Sequence, residues 1–322
     1  MSKPEDRQEH SSKRGREAES PRSLPLRGWL DIGKRVFRNI GKKNLPIVAG
    51  GVALYWFLAL FPLFIALFSV YGLVADPSQV EQQVDQFASA LPDSAQEFLG
   101  NEMERLAGHS LEALGWGAIL GIGIAIWSSA RGVKGMMQSL NVVYEEKEER
   151  GIIKNNLVAM CLTAVILLLI VLAVGLIVAL PIFLQMIGLG GFVVVVIQLV
   201  KWPILFCLVI SVLGILYRWA PCRRSAEWKW ITPGAMAASV LWIVGSVAFS
   251  VFAQNFGNYA NTYGSLAAVI ILILWFHLTA FIVLLGGVIN GEMEMQTRHD
   301  STIGEDLPMG ERDAYVADNL GH

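Results

Sequence analysis

Six long apolar runs divide the chain. They lie at about 47–74, 114–130, 155–180, 192–217, 232–255 and 264–290. A bilayer core of about 30 Å requires roughly 20 mostly apolar residues in a helix. The pattern therefore predicts an all-α fold, a polytopic membrane helical bundle with about six transmembrane helices. The second run is short and rich in glycine, and the fourth is interrupted by Lys201 and Pro203, which favours a kink or an interfacial start.

Two polar segments carry amphipathic patterns of their own. Before the first run, apolar residues recur at helical spacing among lysines and arginines, at Trp29, Ile32, Val36, Phe37 and Ile40. This predicts a basic helix lying on an anionic leaflet of membrane lipids, with a plain solvated tail as the alternative. In the long loop at 75–113, apolar stripes follow Pro77 and Pro92 and predict two short amphipathic helices. They would cap the bundle by packing; docking of an envelope protein partner at residues 76–113 is the alternative.

Composition and charge place these runs in a membrane. Hydrophobic residues make up 54% of the chain and charged residues only 16%, against about 25% charged in soluble domains. Residues 1–46, 131–154, 218–230 and 291–322 carry 23 of the 25 Lys and Arg residues, whereas the other three loops carry only Arg105. Short cytoplasmic loops hold such an excess. The partition predicts a multi-pass protein of the bacterial inner membrane with both termini in the cytoplasm.

The same features set the domain organisation and the expected partners. We predict a disordered cytoplasmic tail at 1–27, a six-helix membrane domain at 28–295 and a cytoplasmic tail at 296–322. The basic, Ser- and Pro-containing N-terminus lacks the pattern of a signal peptide. Three scattered cysteines predict neither a disulfide framework nor a metal site. The net charge of -2 indicates no nucleic-acid partner, no cofactor is expected, and the oligomeric state stays open.

Four motifs carry a family resemblance. They are YWFLALFP at 55–62, WSSARGVKGMMQSLNVVY at 127–144, LYRWAP at 216–221 and TYGSLAAVIILILWFHLTAFIVLLGGVIN at 262–290. In this order they resemble the YihY/virulence factor BrkB family of bacterial inner-membrane proteins, over residues from about 30 to 295. The resemblance implies six membrane helices and cytoplasmic ends. The functions proposed for members include cation/proton antiport, lipid or envelope transport and serum resistance, and an older ribonuclease BN label is generally regarded as mistaken.

The chain departs from the family pattern at two positions. The last helix of the family commonly carries a glutamate where this chain has Val288, and the first commonly has a serine where this chain has Ala59. A mechanism that depends on that carboxylate would need Glu292, one turn further on, to replace it. Asn290 lies between them and matches the family.

A few polar residues within the apolar runs are candidates for a transport pathway, because an ionisable group costs about 2.5–3.5 kcal/mol or more at the centre of a membrane helix. Lys201 either lines a cavity at a kinked helix or extends its ammonium group to the outer headgroups. His277 is either a proton relay or a partner in a helix–helix hydrogen bond. Arg131 closes the second run and either fixes topology or binds substrate.

A second candidate region is the polar turn before the last run. Gln254, Asn255, Asn258 and Tyr259 form either an outer polar mouth or a hydrated loop.

Three functions follow from these residues. A permease or flippase-like transporter for an ion or an envelope lipid predicts a polar cavity near Lys201 and His277. A non-catalytic scaffold for envelope assembly is the alternative. An enzyme is disfavoured, because His10, His109 and His277 are scattered and form no zinc-nuclease pattern.

Overall fold

A computed structural model describes residues 15–72, 111–179, 192–255 and 265–321. Within them a 3-10 turn at Pro21–Ser23 is followed by eight α-helices: α1 (Leu26–Lys42), α2 (Leu45–Gly72), α3 (Leu111–Tyr144), α4 (Ile152–Val174), α5 (Phe192–Trp219), α6 (Trp228–Asn255), α7 (Ser265–Glu294) and α8 (Tyr315–Asp318). The last turn of α4 continues as π-helix over Gly175–Ala179. The described residues contain no strand beyond one isolated bridge between Ala226 and Thr302.

Four of the helices contain a segment long and apolar enough to cross a membrane, at Ile152–Ile177, Leu199–Trp219, Trp228–Gln254 and Val269–Glu294. A fifth is added if α1 and Leu45–Leu60, which meet at 64°, form one broken span. The predicted helical membrane bundle is confirmed. The number six stays a prediction, since the second run lies in α3, which is not among these segments. Residues 75–110 of the loop expected to hold two amphipathic helices lie outside the described residues.

A tight break separates α1 from α2. Asn44 has a φ of 48°, in the left-handed region that asparagine tolerates better than most residues. Its N–H donates to the carbonyl of Gly41 at 3.1 Å, and its own carbonyl accepts from Ile47 at 2.9 Å. The chain thus ends one helix and starts the next without leaving these backbone groups unpaired.

The chain forms two compact units. One comprises Met1–Val48, Met136–Ile243 and Phe281–His322, and its core joins segments from several helices: Ala18, Leu24, Ile32, Trp230 and Met293, with Val36 and Ile289 packed against them. The other comprises Ala49–Gly135 and Val244–Ala280. Aromatic pairs hold it together, with Trp56 and Phe276 at 6.1 Å and Phe249 and Trp275 at 5.3 Å between ring centroids.

The N-terminal tail differs from the prediction of disorder through residue 27. In the described part of this tail, which begins at residue 15, Arg16 donates to the carbonyls of Met295 at 3.2 Å and Gly321 at 2.8 Å. The hydroxyl of Thr297 donates to the carbonyl of Ala18 at 2.6 Å. Composition alone suggested a solvated tail, whereas these bonds give residues 15–24 a fixed path.

The C-terminal tail, residues 296–321, is folded against the same unit. Arg312 is only 4% exposed and donates to four carbonyls, those of Arg298, His299, Leu307 and Ala317, at 2.7–3.2 Å. Backbone bonds from Glu227 to Ser301 and from Arg224 to Asp313 attach the tail to the loop after α5. The buried side chain of Arg312 therefore holds separate parts of the tail together.

The basic helix α1 has a different orientation from the one its pattern suggested. Ile32 is buried and Val36 packs on the protein core, although both were assigned to the lipid-facing stripe. The face that points away from the protein carries Leu26 and Leu30 together with Phe37, which the predicted stripe already included. Helical spacing identified the helix. It did not show which of the two apolar stripes, the one with Ile32 and Val36 or the one with Leu26 and Leu30, packs against the protein.

Candidate functional site

The C-terminal end of α7 is the most polar buried region of the described chain. Residues 290–297 are all buried, and five of them carry polar side chains within the helix or directly after it: Asn290, Glu292, Glu294, Gln296 and Thr297. An ionised carboxylate without a partner in such surroundings is very costly. The segments packed around this helix end supply those partners.

Glu292 is held by α1. The Nε of Arg35 donates to Glu292 Oε2 at 2.5 Å, and Nη2 of Arg35 donates to the carbonyl of Glu292 at 2.9 Å and to Gln296 Oε1 at 2.7 Å. The amide of Asn39 donates to the other carboxylate oxygen, Oε1. Arg35 and Asn39 are one turn apart on α1, so a single helix face grips this carboxylate. We call Arg35, Asn39, Glu292 and Gln296 the Glu292 cluster.

Glu294 is held by the loop after α5 and by the C-terminal tail. Arg223 binds it through both terminal nitrogens, with Nη2 to Oε2 at 2.6 Å and Nη1 to Oε1 at 3.1 Å. The Ser301 hydroxyl donates to Oε2 at 2.6 Å. The Arg223 guanidinium also lies 5.2 Å from the centre of the Tyr144 ring, a cation–π contact. Arg223, Glu294, Ser301 and Tyr144 form the Glu294 cluster.

Burial and charge act against each other at this second cluster. Burial alone would lower the pKa of Arg223, but the negative charge of Glu294 and its hydrogen bonds raise that pKa above its ordinary value. The pKa of the Tyr144 hydroxyl is raised, first by burial and then by the nearby Glu294 carboxylate. Arg223 therefore stays charged and Tyr144 neutral.

Close helix packing positions the two clusters. A Cβ atom at Gly286 would lie 2.7 Å from Ala238 Cβ and 2.8 Å from the Gly234 carbonyl oxygen, so α6 and α7 touch through small residues. At this crossing Asn290 Oδ1 accepts from the backbone N–H of Gly234 at 2.8 Å. Asn290 thus fixes the register of α7 against α6.

The arrangement favours ion pairing over catalysis. The charge of each buried glutamate is balanced by an arginine, and further hydrogen-bond donors bind the carboxylate oxygens. Neither carboxylate is therefore well placed to act as a general base. Among the residues that the structure describes, no three His, Cys, Asp or Glu side chains gather as metal ligands. Neutralised pairs of this kind are best suited to holding one arrangement of helices against another.

Lys201 lies in a different environment. Its ammonium group is 5.7 Å from the Trp202 ring centre, and the candidate membrane segment of α5 begins only two residues earlier, at Leu199. A surface depression of about 150 Å³ beside it has apolar neighbours: Leu176, Val196, Ile197, Val200 and Ile204. Apart from Lys201 itself, the residues that line this depression are apolar, so it is not the polar cavity that was expected beside Lys201.

The other predicted residues are spread over the molecule. His277 faces α2, with Nδ1 3.7 Å from the position that a Cβ of Gly50 would occupy. Arg131 is exposed and lies 5.5 Å from the Trp127 ring centre. Gln254 is exposed and donates to the Ser250 hydroxyl at 3.4 Å. Asn255 ends α6, and Asn258 and Tyr259 lie outside the described residues.

Sequence reasoning named Asn290 and Glu292 as candidate pathway residues, and that role stays a prediction; it missed the residues that bind Glu292. Arg35 and Arg223 were counted only as basic residues that set topology, and Glu294, Asn39 and Tyr144 were not singled out. One usable feature was present: Ile32, Arg35 and Asn39 share one face of α1 by their spacing of three and four residues. A polar pair on the same face as a buried isoleucine indicates a polar partner inside the protein.

Comparisons with known proteins bear on the family of the chain. The chain is 28% identical over 249 residues to the putative ribonuclease-like protein YfkH of Bacillus subtilis (strain 168), covering 74% of this chain and 86% of that protein. It is 24% identical over 263 residues to a UPF0761 membrane protein of Actinobacillus pleuropneumoniae serotype 5b (strain L20), covering 78% and 89%. It is also 24% identical over 289 residues to a UPF0761 membrane protein of Pseudoalteromonas atlantica (strain T6c), covering 86% and 91%.

No solved structure gives a significant match. The family model described as "Virulence factor BrkB" matches residues 36–308, which include the Glu294 cluster, the Glu292 cluster except Arg35, and the four candidate membrane segments. The chain therefore belongs to the virulence factor BrkB family and is a multi-pass membrane protein of that family.

Proposed function

We propose that the protein is a permease of the bacterial inner membrane, flippase-like, which moves an ion or an envelope lipid, and that the two clusters at the end of α7 form its cytoplasmic gate. The observation that carries the proposal is the pair of buried ion pairs, Arg35–Glu292 at 2.5 Å and Arg223–Glu294 at 2.6 Å, at one end of a membrane-length helix. Ionisable residues at such positions are expensive and commonly mark pathways or switches.

The geometry of the clusters supports a gating role. Buried ion pairs contribute little net stability compared with apolar packing, and their best-attested use is to specify one arrangement over another. Here α7 is fastened at one carboxylate to α1 and at the other to the loop after α5. If both pairs opened, the end of α7 would be released from two elements at once, and four charged groups would become available to a passing ion or headgroup.

The proposed orientation follows from charge. Arg35 lies in α1, and Arg223 lies in the loop at 220–227; both belong to segments that carry the excess of Lys and Arg residues. This favours a cytoplasmic location for the gate and for both termini.

Two other functions are weaker. The word ribonuclease belongs to the name of the Bacillus relative, and we do not extend it to this chain because its buried carboxylates are already paired with arginines. A membrane scaffold is the main alternative. The loop suggested for partner docking lies largely outside the described residues, so no contact favours that role over transport.

Flux measurements on the reconstituted full chain test the proposal. Proteoliposomes would be assayed for cation-driven proton movement with an internal pH-sensitive dye, and for lipid movement by dithionite reduction of a fluorescent phospholipid. We expect one of the two fluxes in the wild type. Glu292→Gln should change that flux severalfold, because it weakens the grip of Arg35 on α7. Glu311→Gln, at an exposed glutamate of the tail, is the matched control and should leave the flux unchanged.

A charge swap separates gating from folding. Arg35→Glu and Glu292→Arg should each alter flux, and the combined swap should restore it towards the wild-type value if pairing itself closes the gate. Absence of both fluxes in a folded wild-type protein would reject transport in favour of the scaffold.

A further inference from the structure

The outward face of α1 carries large apolar side chains that the described part of the protein leaves exposed. Leu26 is 78% exposed, Leu30 is 59% exposed and Phe37 is 80% exposed. These three positions, spaced by four and seven residues, form one stripe along the helix. Large apolar side chains with such exposure in a row require a covering environment.

The stripe cannot turn inward. The opposite face of α1 is occupied by Ile32, which is buried in the core, and by Arg35 and Asn39, which bind Glu292. Rotating the helix to bury Phe37 would break both of these contacts. The exposure is therefore a fixed property of the folded unit.

Basic residues border the stripe. Arg27, Lys34, Arg38 and Lys42 are all exposed, while the single acidic residue of α1, Asp31, is only partly exposed. The fifth basic residue of the helix, Arg35, points inward to Glu292. The outward side thus combines an apolar centre with a positive border.

The position of α1 in the chain identifies the covering environment. It precedes the apolar helix α2, after a break at which the two helix axes meet at 64°. Only two residues separate α1 from the apolar helix α2, so α1 lies next to the point at which the chain enters the bilayer. There an apolar stripe reaches the acyl chains while lysines and arginines contact phosphates.

We infer that the outward face of α1 is a binding surface for anionic phospholipids, with Leu26, Leu30 and Phe37 in the acyl region and Arg27, Lys34, Arg38 and Lys42 on the headgroups. A protein partner would need acidic residues around an apolar groove. The bilayer next to α2 provides both features without a second molecule. The inference does not depend on transport and holds equally for a scaffold.

Photocrosslinking of the full chain tests it. Benzoylphenylalanine replaces Leu30, the protein is reconstituted in vesicles of phosphatidylcholine and phosphatidylglycerol at 3:1, and adducts are identified by mass spectrometry. We expect lipid adducts in which the ratio of phosphatidylglycerol to phosphatidylcholine is about fivefold its bulk value, since each basic residue near the surface adds to the attraction. In the R27Q/K34Q/R38Q/K42Q variant the enrichment should fall to about the bulk ratio.

A matched variant controls for total charge. K147Q/K154Q/K229Q/R298Q removes four exposed basic residues elsewhere and should keep the enrichment. Hydrogen exchange of the C-terminal tail reports folding in every variant, because the tail packs on the same unit as α1. Added glycerol 3-phosphate should not compete.

Three results would overturn the inference. They are crosslinks to protein instead of lipid, adducts at the bulk lipid ratio in the wild type, and displacement by glycerol 3-phosphate, which would indicate a site for a soluble phosphate.

Discussion

The end of α7 and the start of the membrane segment of α5 each place charge in a long apolar helix, yet they treat it in opposite ways. Glu292 and Glu294 are about 1% exposed and lie within 2.6 Å of arginine nitrogens. Lys201 lies beside Trp202, which is 64% exposed, and borders an apolar depression. One region gathers partners from distant parts of the chain, and the other keeps its charge at the surface of the helix.

The difference has a physical cause. A carboxylate has a short side chain, so once its backbone is buried it must be paired where it stands. A lysine has four methylenes and can lay them on apolar surface while its ammonium group reaches the headgroups. A charged residue in an apolar helix therefore requires a buried partner at the end of α7 but not at Lys201.

Glu292→Ala should be the most damaging change. It leaves Arg35 buried without its carboxylate, and breaking one side of a buried pair costs about 3–5 kcal/mol. Reversible unfolding in mixed SDS micelles measures the free energy of unfolding. The double variant R35M/E292L removes both charges and should recover most of the loss. If the double variant were as unstable as the single one, packing and not pairing would explain the effect.

Gly286→Ala should come next, at about 1–3 kcal/mol, because the new methyl group would overlap Ala238 and the Gly234 backbone where α6 and α7 cross. The same unfolding assay applies. Gly51→Ala is the matched control: nothing lies within 4 Å of its Cβ position, and alanine is the better helix former. Equal losses at both glycines would show that the crossing is not tightly packed.

The C-terminal tail should loosen in acid. Burial acts to raise the pKa of Asp300, but hydrogen bonds from Leu307 and Thr302, with the charge of Arg312, hold that pKa below its ordinary value. A depressed carboxylate pKa stabilises the folded form above the unfolded value, about 3.9, and this stabilisation is lost as the pH falls through the lower folded value.

Hydrogen exchange of the tail amides, corrected for intrinsic rates, measures this loosening as the pH falls below about 3.9. Asp300→Asn should weaken protection at neutral pH and flatten its pH dependence, since it removes a charged acceptor worth about 1.5–3 kcal/mol. The exposed Asp306→Asn is the control. An unchanged pH profile in Asp300→Asn would assign the acid response to another group.

The pattern of the sequence predicted the helical membrane fold, but it did not predict which residues pair at the end of α7. Apolar run length is a local property, so four membrane-length helices follow from it directly. The Glu292 cluster joins residues 257 positions apart, and nothing in the spacing of Arg35 selects Glu292 as its partner. Likewise α1 was identified by periodicity, whereas its rotation depends on Trp230 and Met293, with which Ile32 packs. Long-range partners and helix rotation are tertiary properties that a single sequence does not display.

Lys201→Met should have the smallest effect and completes the contrast. Methionine retains most of the apolar stem that lies near Val200 and Ile204, and a charge at the surface of a helix contributes little to folding, so we expect a change below about 1 kcal/mol. Unfolding in SDS micelles is again the measurement, with Lys201→Arg as the variant that keeps the charge. A loss similar to that of Glu292→Ala would mean that Lys201 depends on a buried partner, and the two regions would then follow the same rule.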